Sequence, residues 1–352
     1  MKALVLSGGK GTRLRPITHT SAKQLVPIAN KPILFYGLEA IRDAGITDVG
    51  IVVGDTKEEI KRAVGDGSKF GMKVTYIEQS APLGLAHAVK ISKDFLGNDN
   101  FVMYLGDNLL KESLKSFVSE FEKEKPNAQI LLVQVPHPEQ FGVAELKDGV
   151  VIRLVEKPKK PVSNYALVGV YMFDENIFEA VDNIKPSWRN ELEITDAIQY
   201  LVDKKLYVKP YIVTGWWKDT GKLEDLLEAN RLILETMDSK NEGKIDSSTK
   251  IEGKVVIEKD ADITGSTIRG PAIIGENARV VNSYIGPFSS IYHDCVVENS
   301  EIENSIVLEN SEIMNVSRIE GSLIGQNVKV IKSDKKPQAY RIMVGDSSTI
   351  EL

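Results

Sequence analysis

The chain has 352 residues, 42% hydrophobic and 27% charged, with a formal net charge of −6: enough length for two domains and enough apolar side chains to fill two cores. No basic stripe stands out from the mixed charges, which argues against a nucleic-acid partner, and no apolar run approaches the length of a bilayer span. The single cysteine, Cys295, excludes an intrachain disulfide and a thiolate metal cluster; with Met1 leading straight into a strand and no basic-then-apolar leader, the expectation is a soluble cytoplasmic protein with no membrane partner.

Residues 2–6 read as a buried strand that breaks into Ser7-Gly8-Gly9-Lys10-Gly11-Thr12-Arg13. Lacking Cβ atoms, Gly8, Gly9 and Gly11 let their backbone N–H groups close on an anion, as in phosphate cradles between a strand and a helix. The loop is not a Walker loop, because Thr12 and Arg13 follow Gly11, and Leu14 stands where a dinucleotide fingerprint needs a third glycine. Lys10, Arg13 and, further on, Lys23 supply positive charge suited to a triphosphate. The competing reading is a tight turn on a solvated basic face.

Further along, 49–53, 74–77, 101–105 and 130–135 read as buried strands, and 32–44, 57–64, 85–95 and 114–122 as helices. Their alternation predicts βαβ units and a Rossmann-like, mostly parallel sheet, with ligands at the carboxyl ends of its strands. The runs 150–155, 167–173 and 206–213 extend the sheet or carry a substrate lobe, and a last helix covers 223–236. The polar stretch 238–250 marks a boundary, so the expected domains are 1–240 and 245–352.

Beyond the boundary, aliphatic residues recur every five or six positions from Ile251 through Ile302, Leu308 and Ile313 to Val330, with Gly, Asn, Ser, Glu and Asp between them. That is the hexapeptide pattern of a parallel β-helix, in which each repeat turns one aliphatic residue inward. A meander of antiparallel strands would instead alternate at period two. The tail from Lys332 breaks the period and is expected to cap the last coil.

Several residues stand where strand ends would place chemistry. Asp107 follows the run 101–105 beside Gly106, and Asp219 follows 206–213; two such acids could hold one Mg²⁺, although either could equally cap a turn. Glu156 and Lys157 follow 150–155 and suit sugar hydroxyls and a phosphate, against a plain solvated pair. Gln79 follows 74–77, and its amide can read a base edge, with Gly84 leaving room for the base. Trp216 and Trp217 could stack on a ring but more often pack as core. The four histidines show no metal-ligand or triad spacing, and no Ser-His or Cys-His nucleophile is visible.

Taken in order, the strings Gly8-Gly9-Lys10-Gly11-Thr12-Arg13, Ala22-Lys23-Gln24-Leu25-Val26-Pro27, Lys31-Pro32-Ile33, Gly65-Asp66-Gly67-Ser68, Leu105-Gly106-Asp107-Asn108, Phe141-Gly142-Val143, Glu156-Lys157-Pro158, Glu191 to Asp196 and Lys218-Asp219-Thr220-Gly221 resemble the sugar-1-phosphate nucleotidylyltransferases. The resemblance covers about residues 1 to 235 and is closest to the glucose-1-phosphate thymidylyltransferases, in a long form with a C-terminal left-handed β-helix.

What the resemblance implies is a Mg²⁺-dependent transfer from dTTP to α-D-glucose 1-phosphate, giving dTDP-glucose and pyrophosphate by in-line attack. It implies catalytic roles for Arg13, Lys23, Asp107 and Lys157, and nucleotide contacts from Gly8, Gly9, Gly11, Thr12, Gln24, Gln79, Pro82, Gly84 and Asp107. It further implies sugar-phosphate contacts from Asn108, Gly142, Glu156, Lys157, Val168 and Arg189, metal ligation by Asp107 and Asp219, and a homo-oligomer, trimer or tetramer. Two positions depart from the family: Phe141 stands where many members have Tyr, and Leu83-Gly84 where many have Asp-Gly. The rival readings are the same chemistry on UTP or another sugar 1-phosphate, an added acyltransferase in the β-helix around His293, and a catalytically silent regulatory subunit.

Overall fold

The computed structural model describes residues 1–9, 11–19 and 21–332, so Lys10 and residues 333–352, the tail expected to cap the last coil, lie outside the described residues. The chain divides into two compact units. The first comprises Met1–Gly11, Ser21–Val26 and Pro32–Thr220; the second comprises Thr12–Thr20, Pro27–Lys31 and the chain from Gly221 onward.

The first unit is built on a nine-stranded mixed sheet. Its elements begin with β1 (Lys2–Ser7), α1 (Ile33–Asp43), β2 (Asp48–Val53), α2 (Lys57–Val64), β3 (Lys73–Glu78), α3 (Leu85–Ile91) and β4 (Phe101–Leu105). They continue with β5 (Asn108–Leu110), α4 (Leu114–Glu124), β6 (Ala128–Gln134), β7 (Gly142–Lys147), β8 (Val150–Glu156) and β9 (Tyr165–Phe173). The unit closes with α5 (Asn176–Asn183), α6 (Ile194–Asp203), β10 (Val208–Ile212) and β11 (Trp217–Asp219).

The strand order is β8-β7-β9-β4-β1-β2-β3, with β6 pairing β9 and β10. Pairings of β1 with β2 and β4, and of β2 with β3, are parallel, while β9 runs antiparallel to β4. Alternate residues of β1 feed two cores, Leu4 and Leu6 on one face and Ala3 and Val5 on the other. A strand covered on both faces must be apolar at every position, which is why 2–6 reads as an unbroken apolar run. The helix expected over 85–95 is α3 followed by a separate turn at Lys93–Leu96, because the buried Ser92 bonds back to the Ala88 carbonyl at 2.7 Å.

The second unit contains α7 (Leu223–Thr236) and the left-handed parallel β-helix, whose short strands stack into three parallel sheets. Ile263 pairs with Val280 and Val280 with Val297, so one coil takes 17 residues. The corners need left-handed backbone, and they fall on Asp260, Asn277, Asp294, Asn310 and Asn327 in one column and on Gly265, Asn282, Asn299 and Asn315 in another. Asn, Asp and Gly reach that conformation at least strain, which explains the composition between the aliphatic positions. One coil is a residue shorter, with Ile291 pairing Val307 and Val307 pairing Ile324. This corrects the expected inward column: Val307, not Leu308, fills it. Ile251, also expected inward, is 39% exposed at the first coil.

The segment 27–31 and α7 are tied to the β-helix through Asn230, which is fully buried. Its Oδ1 accepts from the Ala29 N–H at 2.8 Å and from the Ser290 hydroxyl at 2.7 Å, and its Nδ2 donates to the Phe288 carbonyl at 2.9 Å. Ala29, Leu234, Val256 and Ile273 close an apolar cluster beside it. No helix among the described residues is long and apolar enough to cross a membrane.

Candidate active site

In the first unit, the carboxyl ends of β1, β2, β3 and β4 open on a cavity of about 220 Å³. Gly8, Gly9, Lys23, Gln24, Gln79, Pro82, Gly84 and Asp107, all expected in the site, line it. At Gly9 a Cβ would stand 3.1 Å from Lys23 Cε, so this glycine keeps the lysine close to the loop. Thr12 and Arg13 belong to the second unit, in a single helical turn over Thr12–Leu14 with Arg13 exposed.

Asp107 is the electrostatic centre of the cleft. Its carboxylate pairs with the Lys23 ammonium and accepts from Asn108 Nδ2 at 3.0 Å. Burial pushes its pKa up, but Lys23 and Asn108 outweigh burial and hold the carboxyl below its ordinary value. Asn108 is itself buried, and its Oδ1 accepts from Trp217 Nε1 at 2.6 Å and from the Gly169 N–H at 3.2 Å. A Cβ on Gly169 would fall 2.6 Å from that same oxygen, so only glycine fits there. The strand β9 bulges at this point: its pairing with β6 shifts register between Leu167 and Tyr171, across Val168 and Gly169.

β11 runs antiparallel to β5 and pairs Asp219 with Asn108. The main chain is pinned there by Thr220, whose N–H and hydroxyl both donate to the Asp107 carbonyl, at 3.1 and 2.8 Å. Two hard carboxylates on paired strand ends fit Mg²⁺, which takes one or two protein carboxylates and completes its shell with water and substrate phosphates. Among the described residues no three His, Cys, Asp or Glu side chains cluster where they could hold a metal ion. Gln24 is nearly fully buried, and its Oε1 has no hydrogen-bond partner. A buried acceptor on a cleft wall is a place for a ligand's hydroxyl or N–H.

A second group of residues stands on β7, β8 and the loop before α6. Glu156 pairs across the ladder with Gly142, where a Cβ would meet Thr195 Cγ2 at 2.6 Å and Glu156 Oε2 at 3.1 Å. Glu156 accepts from the Thr195 hydroxyl at 3.2 Å, and burial together with the nearby Glu193 pushes its pKa up. Lys157 has a left-handed backbone, with φ of 43°, and its N–H donates to the Phe141 carbonyl at 3.0 Å. A lysine held in that region is strained, as residues at ligand sites often are. Arg189 is gripped by Glu193, with contacts of 3.0 Å from both Nε and Nη2, and by Glu191 at 2.7 Å. Val168 is fully buried in the bulge of β9. Phe141 packs edge-on against Trp217, ring centroids 5.3 Å apart.

The structure gives Gly84 a different reason from the room for a base expected of it. Its φ is +102°, and a Cβ would lie 2.3 Å from the Leu192 carbonyl oxygen. Glu191, Glu193, Thr195 and His87 had no assigned role in the sequence reading, and Trp217, read there as a stacking or core residue, instead donates to Asn108. The first three lie in one of the strings that carry the resemblance, but spacing alone does not say that they hold Arg189 and Glu156.

The chain matches the family model "Nucleotidyl transferase" over residues 2–236. It is 57% identical to the glucose-1-phosphate thymidylyltransferase of Streptomyces griseus, an alignment spanning 100% of this chain and 99% of that one. Among solved structures, a Bacillus anthracis protein assigned as a glucose-1-phosphate thymidylyltransferase superposes with a TM-score of 0.64 at 36% identity, over 68% of this chain and 98% of that one. A UDP-glucose pyrophosphorylase complexed with UDP-glucose gives 0.60 at 28% identity, over 67% and 99%.

Proposed function

Because the chain belongs to the nucleotidyl transferase family, in its glucose-1-phosphate thymidylyltransferase branch, we propose that it transfers a thymidylyl group from dTTP to α-D-glucose 1-phosphate. A phosphate oxygen of the sugar attacks the α-phosphorus, the bond from that phosphorus to the bridging oxygen breaks, and pyrophosphate leaves with the electron pair. The products are dTDP-glucose and pyrophosphate.

The observation that carries this reading is the buried Lys23–Asp107 pair beside a glycine loop at the carboxyl ends of parallel strands. No nucleophilic side chain is required: the work is alignment and charge neutralisation. The amides of Gly8, Gly9 and Gly11 with Thr12 and Arg13 would receive the triphosphate, and Arg13 and Lys23 would offset charge on the departing pyrophosphate. Gln79, Pro82 and Gly84 would hold the base, and the orphan acceptor of Gln24 would take a donor from the nucleotide. Lys157 and Arg189 would orient the sugar phosphate, while Glu156, Asn108 and the backbone at Gly142 and Val168 would meet glucose hydroxyls. Mg²⁺, which this family generally uses, would be held by Asp107 and Asp219 and would supply charge neutralisation on the phosphates. Family membership also supports a homo-oligomer, read by sedimentation at the protein's working concentration.

The test is pyrophosphate release with Mg²⁺ and glucose 1-phosphate, offering dTTP, UTP, ATP, GTP and CTP separately. Preference for dTTP is expected. Faster turnover of UTP would move the base assignment, and no release from any nucleotide would overturn the reading.

A further inference from the structure

Gln79 follows β3 and lines the cleft, and the proposed function makes it the residue that reads the base. Its Nε2 stands 3.2 Å from the Gly84 carbonyl oxygen and 3.0 Å from Nδ1 of His87 on α3. A carbonyl oxygen only accepts, so the amide atom beside it is the NH₂ group. The Gly84 carbonyl cannot drift away to release it. The Ala86 N–H donates to Leu192 and the Leu192 N–H to Leu83, at 3.0 and 2.8 Å, and the left-handed Gly84 is wedged between them.

Both N–H bonds of the Gln79 amide are thereby used, the second by His87 Nδ1 as acceptor. That role needs a neutral ring with its proton on Nε2, and burial, with the nearby Lys90 charge, holds His87 below the ordinary histidine range. What the amide has left is Oε1, 3.4 Å from where a Cβ of Gly8 would stand at the start of the phosphate loop.

We propose that His87 is a specificity-positioning residue: by accepting from Gln79 it locks the amide with Oε1 toward the cleft, so that the site takes a pyrimidine with an N–H at position 3 and rejects cytosine. Thymine and uracil offer that donor. Cytosine carries a lone pair at the same place, which would face Oε1 lone pair against lone pair, and a pairing of that kind discriminates by leaving a buried acceptor unsatisfied. His87 acts through Gln79 and touches no substrate. The proposal rests on Gln79 reading the base, and the test separates the two.

The experiment measures kcat/KM of the full chain for dUTP and dCTP, with glucose 1-phosphate and Mg²⁺, in the wild type, His87→Leu, His87→Ala and His87→Gln. The two nucleotides differ only at the base edge in question. With one of two hydrogen bonds to the amide gone, the dUTP:dCTP ratio should fall about fivefold in H87L and H87A. It should return toward the wild-type ratio in H87Q, whose side-chain carbonyl can accept the freed N–H. His87 is only half-buried, and H87A keeps the test standing should H87L pack badly. An unchanged ratio in both H87L and H87A, or no recovery in H87Q, would overturn the role of His87. A wild type that does not distinguish dUTP from dCTP would instead remove the reading of Gln79, and the proposal with it.

Discussion

Lys23 and Asp107 neutralise one another where solvent reaches neither freely, at 15% and 13% side-chain exposure. Removing one partner leaves the other charge uncompensated, so Lys23→Met should lose about 3 kcal/mol of stability in addition to its activity, measured by urea unfolding. The sign of the pH effect follows. Asp107 is held below its unfolded value, so its contribution is present above that value and is lost as pH falls through the lower folded one. Without Lys23, burial is opposed by less, the folded pKa rises, and Asp107 contributes less stability above its unfolded value. Glu156 is the opposite case: its pKa is raised, so the folded state is disfavoured as pH climbs from the unfolded glutamate value through the folded one. Glu156→Gln should therefore stabilise the protein by about 1 kcal/mol at neutral pH, as relief of a strained site does, while raising the KM for glucose 1-phosphate. A lower Tm in E156Q would contradict this. Asp107 was legible in the sequence because an acid after an apolar run and a glycine sits where parallel strands bind ligands. The grip of Glu191 and Glu193 on Arg189 was not, since an acid-rich string does not reveal which charge it faces.

The strands and helices that form two-sided cores announced themselves as unbroken apolar runs, and β4 and α2 fall where the pattern puts them. Shorter elements with mixed residues did not: β5, β7, α5, α6 and β11 are missing from the sequence reading, and β5, β7 and β11 carry site residues. The bulge of β9 was equally hidden, because a register shift leaves the apolar run intact. Its consequence can be tested at Gly169. A methyl there would meet Asn108 Oδ1 at 2.6 Å and Leu105 Cδ1 at 2.7 Å, so Gly169→Ala should lose about 2 kcal/mol. It should also slow turnover by disturbing the path from Trp217 through Asn108 to Asp107; wild-type kcat in G169A would break that link. In the β-helix, Asn299→Ala should lose about 1 kcal/mol for forcing alanine to a φ of 48°, while Asn299→Gly stays near neutral, as thermal unfolding would show.

Period told the second unit's architecture from residue 251 onward, and it told nothing of what else belongs to that unit. Residues 12–20 and 27–31 carry no repeat, yet they group with the β-helix. For 27–31 the physical reason is visible: Asn230 on α7 accepts from the Ala29 N–H and the Ser290 hydroxyl and donates to Phe288, across elements 201 and 58 residues apart in sequence. A polar side chain that satisfies three buried groups gives no sequence signal beyond one asparagine in an otherwise apolar helix face.

The central claim is nucleotidyl transfer to glucose 1-phosphate with Asp107 at the reacting phosphates. The measurement that meets it most directly is formation of dTDP-glucose from dTTP and glucose 1-phosphate with Mg²⁺, comparing the wild type with Asp107→Asn. That variant keeps the shape but loses the charge and one of the two acceptor oxygens that face Lys23 and Asn108. Wild-type synthesis with at least a hundredfold slower turnover in D107N is the predicted result, the scale on which one electrostatic contact to the transition state acts. Product from D107N at the wild-type rate, or none from the wild type, would contradict it.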